Sequence, residues 1–237
     1  WIEDGRARLG QQVARQISRV LRMSAGEQVV LLDNSGREYV TRLERITHTM
    51  VEGEVTSVLR GSGKPRVDVT LYQALLKGDR FEWVLQKGTE LGVSTFVPMS
   101  TERTVLRSKE NPKTLSGGRW ESIIREAAEQ SRCSILPEIH HAVDFKGACQ
   151  AIEGKGLSLM PWEQERSRSL RSILLSENAD KVNIFIGPEG GFGDQEVEYA
   201  LSCGILTVSL GQRILRAETA AIASIVAVMY ASGELGC

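Results

Sequence analysis

The stretch that decides the fold runs Val182-Asn183-Ile184-Phe185-Ile186-Gly187-Pro188-Glu189-Gly190-Gly191-Phe192-Gly193. Its first five residues are apolar apart from one asparagine, which indicates a buried strand. The rest is a glycine-rich turn, and a helix is expected to begin near Asp194. In parallel α/β sheets, ligands bind beyond the carboxyl ends of strands, and glycine lets a ligand reach the backbone because no Cβ intervenes. The stretch therefore predicts a ligand site in an α/β fold.

The chemistry of this turn limits its ligand. It contains no lysine, and Glu189 would repel a phosphate, so a zwitterionic or cationic ligand fits better than a nucleoside triphosphate. The alternative is an ordinary strand-to-helix turn capped by Asp194. Four glycines and a proline between Ile186 and Gly193 are more than capping requires, and this favours the ligand site.

A second turn of the same kind spans Leu210–Ala221 (LGQRILRAETAA) and also joins an apolar strand to a helix. Thr219 is expected to cap that helix, and Glu218 near its start suits the helix dipole. Both residues therefore have a purely structural explanation. Arg216 has none, which makes it a candidate functional residue.

The pattern of the chain changes near residue 61. Before it, short runs rich in Val, Leu, Thr and Tyr alternate with turn signals, which predicts a small β-barrel followed by a linker at Gly61–Pro65. After it, strands alternate with helices, which predicts a parallel sheet covered on both faces. The predicted strands are Gln28–Leu32, Arg37–Ile46, Val51–Leu59, Val67–Leu76, Thr95–Met99, Gly156–Met160, Val182–Ile186 and Ile205–Leu210. The predicted helices are Asp79–Leu91, Leu115–Ser131, Phe145–Ile152, Leu170–Leu175 and Ala217–Ala231.

Composition argues against several classes of protein. The four cysteines show no CxxC spacing and there are only three histidines, so neither a zinc site nor a disulfide framework is expected. No apolar run approaches the roughly 18 residues of a membrane span, and the sequence does not open on a basic-then-apolar leader. The motifs GxxxxGK[ST], GxGxxG, GxSxG and HExxH are missing from the sequence. We therefore expect a cytoplasmic protein that uses neither a metal nor a membrane.

Charge is unevenly distributed. The formal net charge of −1 does not single out a nucleic-acid binder, but residues 1–66 hold 11 Lys and Arg against 8 Asp and Glu. Arg15, Arg19 and Arg22 recur at near-helical spacing before Gly26. These three arginines form either a solvated basic face or a set of contacts to RNA phosphates.

Four motifs, taken in order and spacing, resemble one family. They are QKGTELGV (Gln86–Val93), EAAEQSR (Glu126–Arg132), IGPEGGF (Ile186–Phe192) and LGQRILRAETAA (Leu210–Ala221). Together they look like the ribosomal RNA small subunit methyltransferase E family, and RVLRM (Arg19–Met23) before Gly26 resembles the N-terminal PUA-like barrel of that family. The likeness covers essentially the whole chain. It departs from the family pattern at Gln16, where the family often has histidine.

The resemblance implies a fold that periodicity does not supply. Residues 1–62 would form a PUA-like RNA-binding barrel, and residues 66–237 a SPOUT methyltransferase domain whose parallel sheet contains a deep trefoil knot. Knots are rare exceptions to the rule that chains are unknotted. The family is homodimeric, with its active site near the dimer interface, so a homodimer is expected.

The resemblance also implies the cofactor S-adenosylmethionine, held by three loops that follow Met160, Ile186 and Leu210. The substrate would be a uridine of 16S rRNA in the small ribosomal subunit, methylated at N3. The implied cofactor-binding residues are Met160, Pro161, Ile186, Gly187, Pro188, Glu189, Gly190, Gly191, Leu210, Gly211, Ile214, Leu215, Thr219 and Ala220. The implied RNA-binding residues are Arg15, Arg19 and Arg22.

The reaction suggests roles for three residues. N3 of uracil becomes a good nucleophile only as it loses its proton, so a base, or a cation near the uracil oxygens, would help. Arg216 is the first candidate for stabilising that negative charge or for holding a phosphate. Glu218 is a candidate proton acceptor, and Arg132 is the third catalytic candidate. Since the Watson–Crick edge must be exposed, the target uridine is expected to be unpaired or extruded.

Three alternatives stay open at the level of sequence. The first is an RNA-binding protein without catalysis, against which the intact glycine loops argue. The second is a SPOUT methyltransferase acting on transfer RNA, which would lack the paired EAAEQSR and IGPEGGF motifs. The third is a small-molecule methyltransferase, which would not need the N-terminal barrel.

Overall fold

The computed structural model describes residues 1–61, 65–105, 118–152, 154, 156–177 and 179–236. The chain divides into two compact units, Trp1–Lys64 and Pro65–Cys237. Three of the sequence predictions fall partly outside the described residues: the middle of the linker (62–64), the first turn of the helix expected from Leu115 (115–117), and the thiol of Cys237.

The first unit is an antiparallel sheet with two short helical segments. Its strands are β1 (Ile2–Glu3), β2 (Arg6–Leu9), β3 (Gln28–Leu32), β4 (Arg37–Ile46) and β5 (Val51–Arg60), in the order β1-β2-β5-β4-β3. Three of these strands were predicted almost to the residue. The short strands β1 and β2 were missed, because runs of two and four residues are too brief to show an alternating pattern.

This sheet curls. The ring centroids of Trp1 and Tyr39 lie 6.2 Å apart, edge to face, although β1 and β4 are three strands apart in the sheet, or about 14 Å if it were flat. Register shifts between β4 and β5 at Val40/Thr41 and Leu43/Arg45 add local twist. The concave side encloses a core of Ala7, Leu9, Ala14, Ile17, Leu31, Leu43 and Val51.

A helical segment and the two residues that follow it carry Arg15, Arg19 and Arg22. The segment consists of α1 (Gln11–Arg15) and a π-helical turn (Gln16–Val20), which Leu21 and Arg22 follow. Ile17 anchors the segment in the core, whereas Arg15, Arg19 and Arg22 are exposed to solvent. All three arginines of the predicted basic face are therefore exposed.

The second unit is a parallel α/β domain. Its strands are β6 (Asp68–Ala74), β7 (Thr95–Ser100), β8 (Glu138–Ile139), β9 (Val143–Asp144), β10 (Leu157–Pro161), β11 (Lys181–Ile186) and β12 (Leu206–Val208). Its helices are α2 (Arg80–Glu90), α3 (Arg119–Ser131), α4 (Phe145–Ala151), α5 (Leu170–Ser176), α6 (Asp194–Ser202) and α7 (Ala217–Ala231). The predicted strand-and-helix alternation is confirmed.

The strand order is β12-β10-β11-β6-β7-β8, with β9 also paired to β7, and these pairs are parallel. β12 follows β11 in the chain but pairs with β10, so the chain crosses past β10 before α7 packs against β11. The order makes β11, β10 and β12 neighbours, and their carboxyl ends open on the same edge. The trefoil knot implied by the resemblance concerns this crossover and stays a prediction.

Helices cover both faces of the sheet. Alternate residues of β11 show it: Ile184 belongs to the core on the side of α2, α3, α5 and α7, whereas Phe185 belongs to the core on the side of α4 and α6. Phe185 stacks on Tyr72 with ring centroids 4.4 Å apart. Burial on both faces explains why these strands form continuous apolar runs.

Neither of the two helix caps considered from the sequence is formed: the Asp194 cap, which belonged to the alternative interpretation of the first turn, and the Thr219 cap of the second. α6 begins at Asp194 with Gly193 as its N-cap, and Gly193 N donates to Glu196 Oε2 at 2.9 Å, so Glu196 replaces Asp194 in satisfying the first turn. α7 begins one residue after Arg216, which takes the N-cap position in place of Thr219. Each helix therefore starts at or before the residue that was considered as its cap. The reason is that Gly193 and Arg216 already have the extended backbone conformation of an N-cap residue.

Candidate active site

Three loops meet at the carboxyl ends of β10, β11 and β12. They comprise residues 162–169, 187–193 and 209–216, and together with the start of α2 they enclose a cavity of about 580 Å³. Twelve of the fourteen predicted cofactor-binding residues lie on its wall. They are Pro161, Ile186, Gly187, Pro188, Glu189, Gly190, Gly191, Leu210, Gly211, Ile214, Leu215 and Ala220.

The loop after β11 needs its glycines to fit between its neighbours. Gly191 has φ +68°, and a Cβ there would lie 2.9 Å from Glu163 Oε1 in the loop after β10. A Cβ on Gly187 would lie 3.2 Å from the ring of Phe192. Arg103 Nη1 donates to the carbonyl of Gly190 at 2.9 Å. The glycines therefore allow close packing of two loops and leave main-chain groups at the cavity wall.

Glu165 organises the loop after β10. Its Oε1 accepts hydrogen bonds from the backbone and the hydroxyl of Ser167, both at 2.7 Å, and from Arg168 N at 3.2 Å. Its Oε2 accepts from Thr207 Oγ1 of β12 at 2.6 Å. The hydrogen bonds from Ser167 and then Thr207 stabilise the carboxylate and lower the pKa of Glu165 from 4.5 to about 2. The Glu165 carboxylate thereby fixes the loop after β10 to the neighbouring strand β12.

Several polar atoms at the cavity have no protein partner in the described part of the chain. From Gln212 to Leu215 the backbone N–H groups donate no hydrogen bond to another described residue. Trp162, on the wall, has a buried indole Nε1 without an acceptor. Ile214 is 86% exposed. A buried donor without a partner, such as Trp162 Nε1, is rare in folded proteins, so this part of the wall has the character of a ligand site.

A cluster of charges closes one side of the cavity. Arg80 Nη1 lies 2.9 Å from Glu189 Oε1, and Arg80 Nε lies 3.9 Å from Glu218 Oε1. Glu189 is thus compensated by a cation, and its repulsion of anions is weaker than the sequence implies. Glu218 reaches this cluster from the first turn of α7 but is not among the residues of the cavity wall.

Arg216 lies on the cavity wall at the N-cap of α7, exposed to solvent. Its guanidinium makes no hydrogen bond or ion pair with another described residue. It is available to a substrate at the mouth of the cavity. Its proposed role in stabilising charge stays a prediction.

The structure places three other predicted residues away from the wall. Met160 is fully buried in the core next to Phe185, and Thr219 is exposed on α7. Arg132 ends α3 in a left-handed conformation, φ 57°, and does not line the cavity. The cavity therefore unites most of the predicted cofactor residues with Arg216 but not with Arg132.

Comparison with known proteins gives the family. A family model for the RNA methyltransferase domain matches residues 63–229, and one for the RNA methyltransferase PUA domain matches residues 17–56. The chain is 30% identical over 226 residues to the ribosomal RNA small subunit methyltransferase E of Bacillus subtilis, covering 93% of this chain and 88% of that protein. The chain belongs to the ribosomal RNA small subunit methyltransferase E family. The fold class expected from the resemblance is thereby confirmed.

Solved structures of similar proteins extend this assignment. A ribosomal RNA small subunit methyltransferase E from Neisseria gonorrhoeae, bound to S-adenosyl methionine, superposes with a TM-score of 0.86 at 29% identity, covering 95% of this chain and 91% of that one. A Legionella pneumophila protein in complex with the cofactor SAM also gives 0.86, at 32% identity, covering 98% and 94%. Methyltransferase E architecture therefore extends over nearly the whole chain.

Sequence reasoning missed several residues that shape this methyltransferase E cavity. Trp162, Glu165 and Arg80 belong to no motif, because their neighbours in space lie far away in the chain. One signal was available for Arg80. A cation at the first position of a helix opposes the helix dipole, so an arginine at the start of the predicted helix Asp79–Leu91 required a partner elsewhere.

Among the described residues, no group of three or more His, Cys, Asp or Glu side chains is arranged to hold a metal ion. Over the same residues, no helix combines the length and apolar character needed to cross a membrane.

Proposed function

We propose that this chain transfers the methyl group of S-adenosylmethionine to N3 of a uridine in 16S rRNA of the small ribosomal subunit. The observation that carries the proposal is the cavity at the ends of β10, β11 and β12, with Arg216 on its wall. Membership of the methyltransferase E family supports the same activity.

The residues of the cavity fit this cofactor. Apolar side chains on the wall suit an adenine ring. The backbone N–H groups of Ile214 and Leu215 donate no hydrogen bond to another described residue, so they suit the polar edge of that ring. Trp162 Nε1 supplies a buried donor that needs an acceptor. The wall carries the acidic groups Glu163 and Glu189 beside four arginines, and this mixture suits a ligand that holds both positive and negative charge. The cofactor supplies an activated methyl group on a sulfonium.

The protein's own task is then alignment and charge stabilisation. The three loops hold the donor and leave the mouth of the cavity open for a base. Arg216, which has no partner among the described residues, is positioned to stabilise negative charge on the uracil as its N3 proton leaves. Glu218 is the candidate proton acceptor, and its carboxylate lies 3.9 Å from Arg80 of the cavity wall.

The first unit is proposed to hold the RNA. Arg15, Arg19 and Arg22 form an exposed basic cluster beside the exposed apolar side chains Val20 and Leu21. Exposed guanidinium groups at this spacing suit consecutive phosphates. The corresponding domain boundaries are proposed at residues 1–62 and 66–237.

We further propose that the enzyme is a homodimer that works in the cytoplasm. α7 is apolar all round, and such helices are normally buried. Thr219, Ala223, Val226 and Tyr230 nevertheless form an outer face, of which Tyr230 is 68% exposed. A second copy packing on this face would bury it. Cys133, Cys149 and Cys203 are free thiols, as expected in a reducing compartment.

The deciding experiment is methyl transfer from radiolabelled S-adenosylmethionine to small subunits, free 16S rRNA and transfer RNA isolated from a strain lacking this activity. One uridine of 16S rRNA should acquire a single methyl group, located by mass mapping, that blocks reverse transcription because it lies on the Watson–Crick edge. Methylation of transfer RNA alone would overturn the substrate assignment. If calorimetry shows cofactor binding but no RNA is methylated, the remaining interpretation is an RNA-binding protein without catalysis.

A further inference from the structure

A single cation lies between two carboxylates from different parts of the active site. Arg80, the first residue of α2, contacts Glu189 in the loop after β11 and Glu218 in the first turn of α7, at 2.9 and 3.9 Å. Lys77 N donates a second hydrogen bond to Glu189 Oε1 at 3.1 Å. Arg80 therefore connects three segments that converge on the cavity.

This cluster carries one excess negative charge, and Glu218 is its most sheltered member, whereas the side chains of Arg80 and Glu189 are 43% and 29% exposed. Glu218 has only 16% of its side chain exposed, and its Oε2 is buried without a hydrogen-bond partner among the described residues. Glu189 and Arg80 both lie on the cavity wall. Charges that are partly buried are screened less by water and salt than charges at the surface. The cluster therefore exerts a field on a ligand in the cavity.

We propose that Arg80 is a positioning residue that also sets the charge preference of the cofactor cavity. This inference rests on the proposed function. S-Adenosylmethionine differs from its demethylated product, S-adenosylhomocysteine, by the positive charge of the sulfonium. Two carboxylates without Arg80 would favour the methylated form strongly, whereas Arg80 reduces that preference and holds Glu189 and Glu218 in one arrangement.

Four proteins separate charge from structure. The cluster of Arg80, Glu189 and Glu218 has a formal charge of −1 in the wild type, −2 in Arg80→Met, 0 in Glu189→Gln, and −1 again in the double variant Arg80→Met/Glu189→Gln. A purely structural role for Arg80 predicts similar behaviour of the two variants that lack it. A role in charge preference predicts that the double variant returns to the wild-type preference.

The measurement is the ratio of dissociation constants for S-adenosylhomocysteine and S-adenosylmethionine, obtained by calorimetry on each protein without RNA. Arg80→Met should raise this ratio about three- to tenfold, and Glu189→Gln should lower it by a similar factor. The double variant should match the wild type. The differences should shrink as sodium chloride is increased, since salt screens the field.

Two further variants serve as controls. Arg80→Lys keeps the charge and should keep the ratio. Arg119→Met removes a different arginine, paired with Glu82 of α2 at 2.6 Å and away from the cavity wall, and should leave the ratio unchanged. Equal ratios in the wild type and all three charge variants would overturn the inference, as would a double variant that behaves like Arg80→Met. A wild-type protein that binds neither compound would contradict the proposed function instead.

Discussion

Thr207 Oγ1 on β12 lies 2.6 Å from Oε2 of Glu165 in the loop after β10. Both side chains are buried, and their hydrogen bond joins the loop after β10 to β12, the strand that leads into the third loop of the cavity. The chain completes the bond only after crossing from β11 past β10 to β12. Glu165 therefore fixes the cofactor loop through a contact between residues 42 positions apart in the sequence.

The stabilisation from Glu165 should depend on pH. Its pKa is lowered on folding, so the ionised carboxylate stabilises the fold above pH 4.5, and the contribution disappears as the pH falls towards 2. Glu165→Gln should cost about 2 kcal/mol in the free energy of unfolding at pH 7, because charge-assisted hydrogen bonds are removed. Urea unfolding of both proteins between pH 7 and pH 3 measures the difference.

The difference in free energy of unfolding between wild type and Glu165→Gln should stay constant down to about pH 5 and become smaller below it. Glu198→Gln, at an exposed position of α6, is the control and should change stability little at any pH. If the difference in free energy of unfolding is as large at pH 3 as at pH 7, the charge of the Glu165 carboxylate does not stabilise this loop.

Gly190→Val should weaken cofactor binding about tenfold or more, because a side chain at this wall position overpacks the loop. A Cβ at Gly190 would lie 3.3 Å from Cβ of Arg103, and the valine methyl groups need further space. Calorimetry with S-adenosylmethionine measures the weakening. Gly10→Val, where a Cβ meets nothing within 4 Å, should bind normally. Unchanged binding by Gly190→Val would show that the cofactor does not use this loop.

Much of this architecture follows from local sequence. Continuous apolar runs such as Val182–Ile186 predict buried parallel strands, and the helix Ala217–Ala231 was predicted with its observed bounds. Glycine-rich turns after such strands point to the cavity, because only the backbone conformation and the strand ends are involved. These features depend on residues close together in the chain.

What sequence could not supply depends on residues far apart. Arg80 meets Glu189 across 109 positions, and no periodicity encodes that contact. The order β12-β10-β11 likewise results from the packing of whole elements. Met160 differs in another way: the resemblance implies that it binds the cofactor, whereas the alternation of the strand turns its side chain into the core.

Arg216→Ala should lower the turnover number about 100-fold while changing the dissociation constant for S-adenosylmethionine less than threefold, because the guanidinium is proposed to stabilise charge that develops only during transfer. Single-turnover methylation of small subunits and calorimetry measure the two quantities. Arg213→Ala, in the same loop and also exposed, is the matched control. Equal effects in both variants would indicate general attraction of RNA rather than a specific role of Arg216.

Replacing Arg15, Arg19 and Arg22 together by glutamine should weaken RNA binding and reduce its dependence on salt. For every phosphate that the variant no longer binds, the slope of log K against log salt should become shallower by about 0.7 to 0.9. Filter binding of 16S rRNA at several salt concentrations measures the slope, and the affinity for the cofactor should not change. Arg42→Gln, whose arginine is paired with Glu54 at 2.6 Å, should leave the slope intact. If the triple variant keeps the wild-type slope, the RNA does not bind at these three arginines.

If the proposed homodimer forms through α7, Val226→Glu and Tyr230→Glu should each convert it to a monomer. Val226 and Tyr230 lie one turn apart on the outer face of α7, 38% and 68% exposed, while the opposite side of the helix packs in the core with Ile225 and Met229. A glutamate on this face would place an unpaired charge in an apolar contact between two copies, which is strongly unfavourable. Sedimentation of each protein over a range of concentrations measures the state of association.

The control for these two variants is Leu201→Glu, at an exposed position of α6, which should sediment like the wild type. A wild-type protein that stays monomeric at micromolar concentration, or variants that remain dimers, would show that the outer face of α7 is not the subunit contact. If the variants are monomeric yet bind the cofactor normally, the cavity is complete within one chain, and dimerisation then serves the RNA rather than the cofactor.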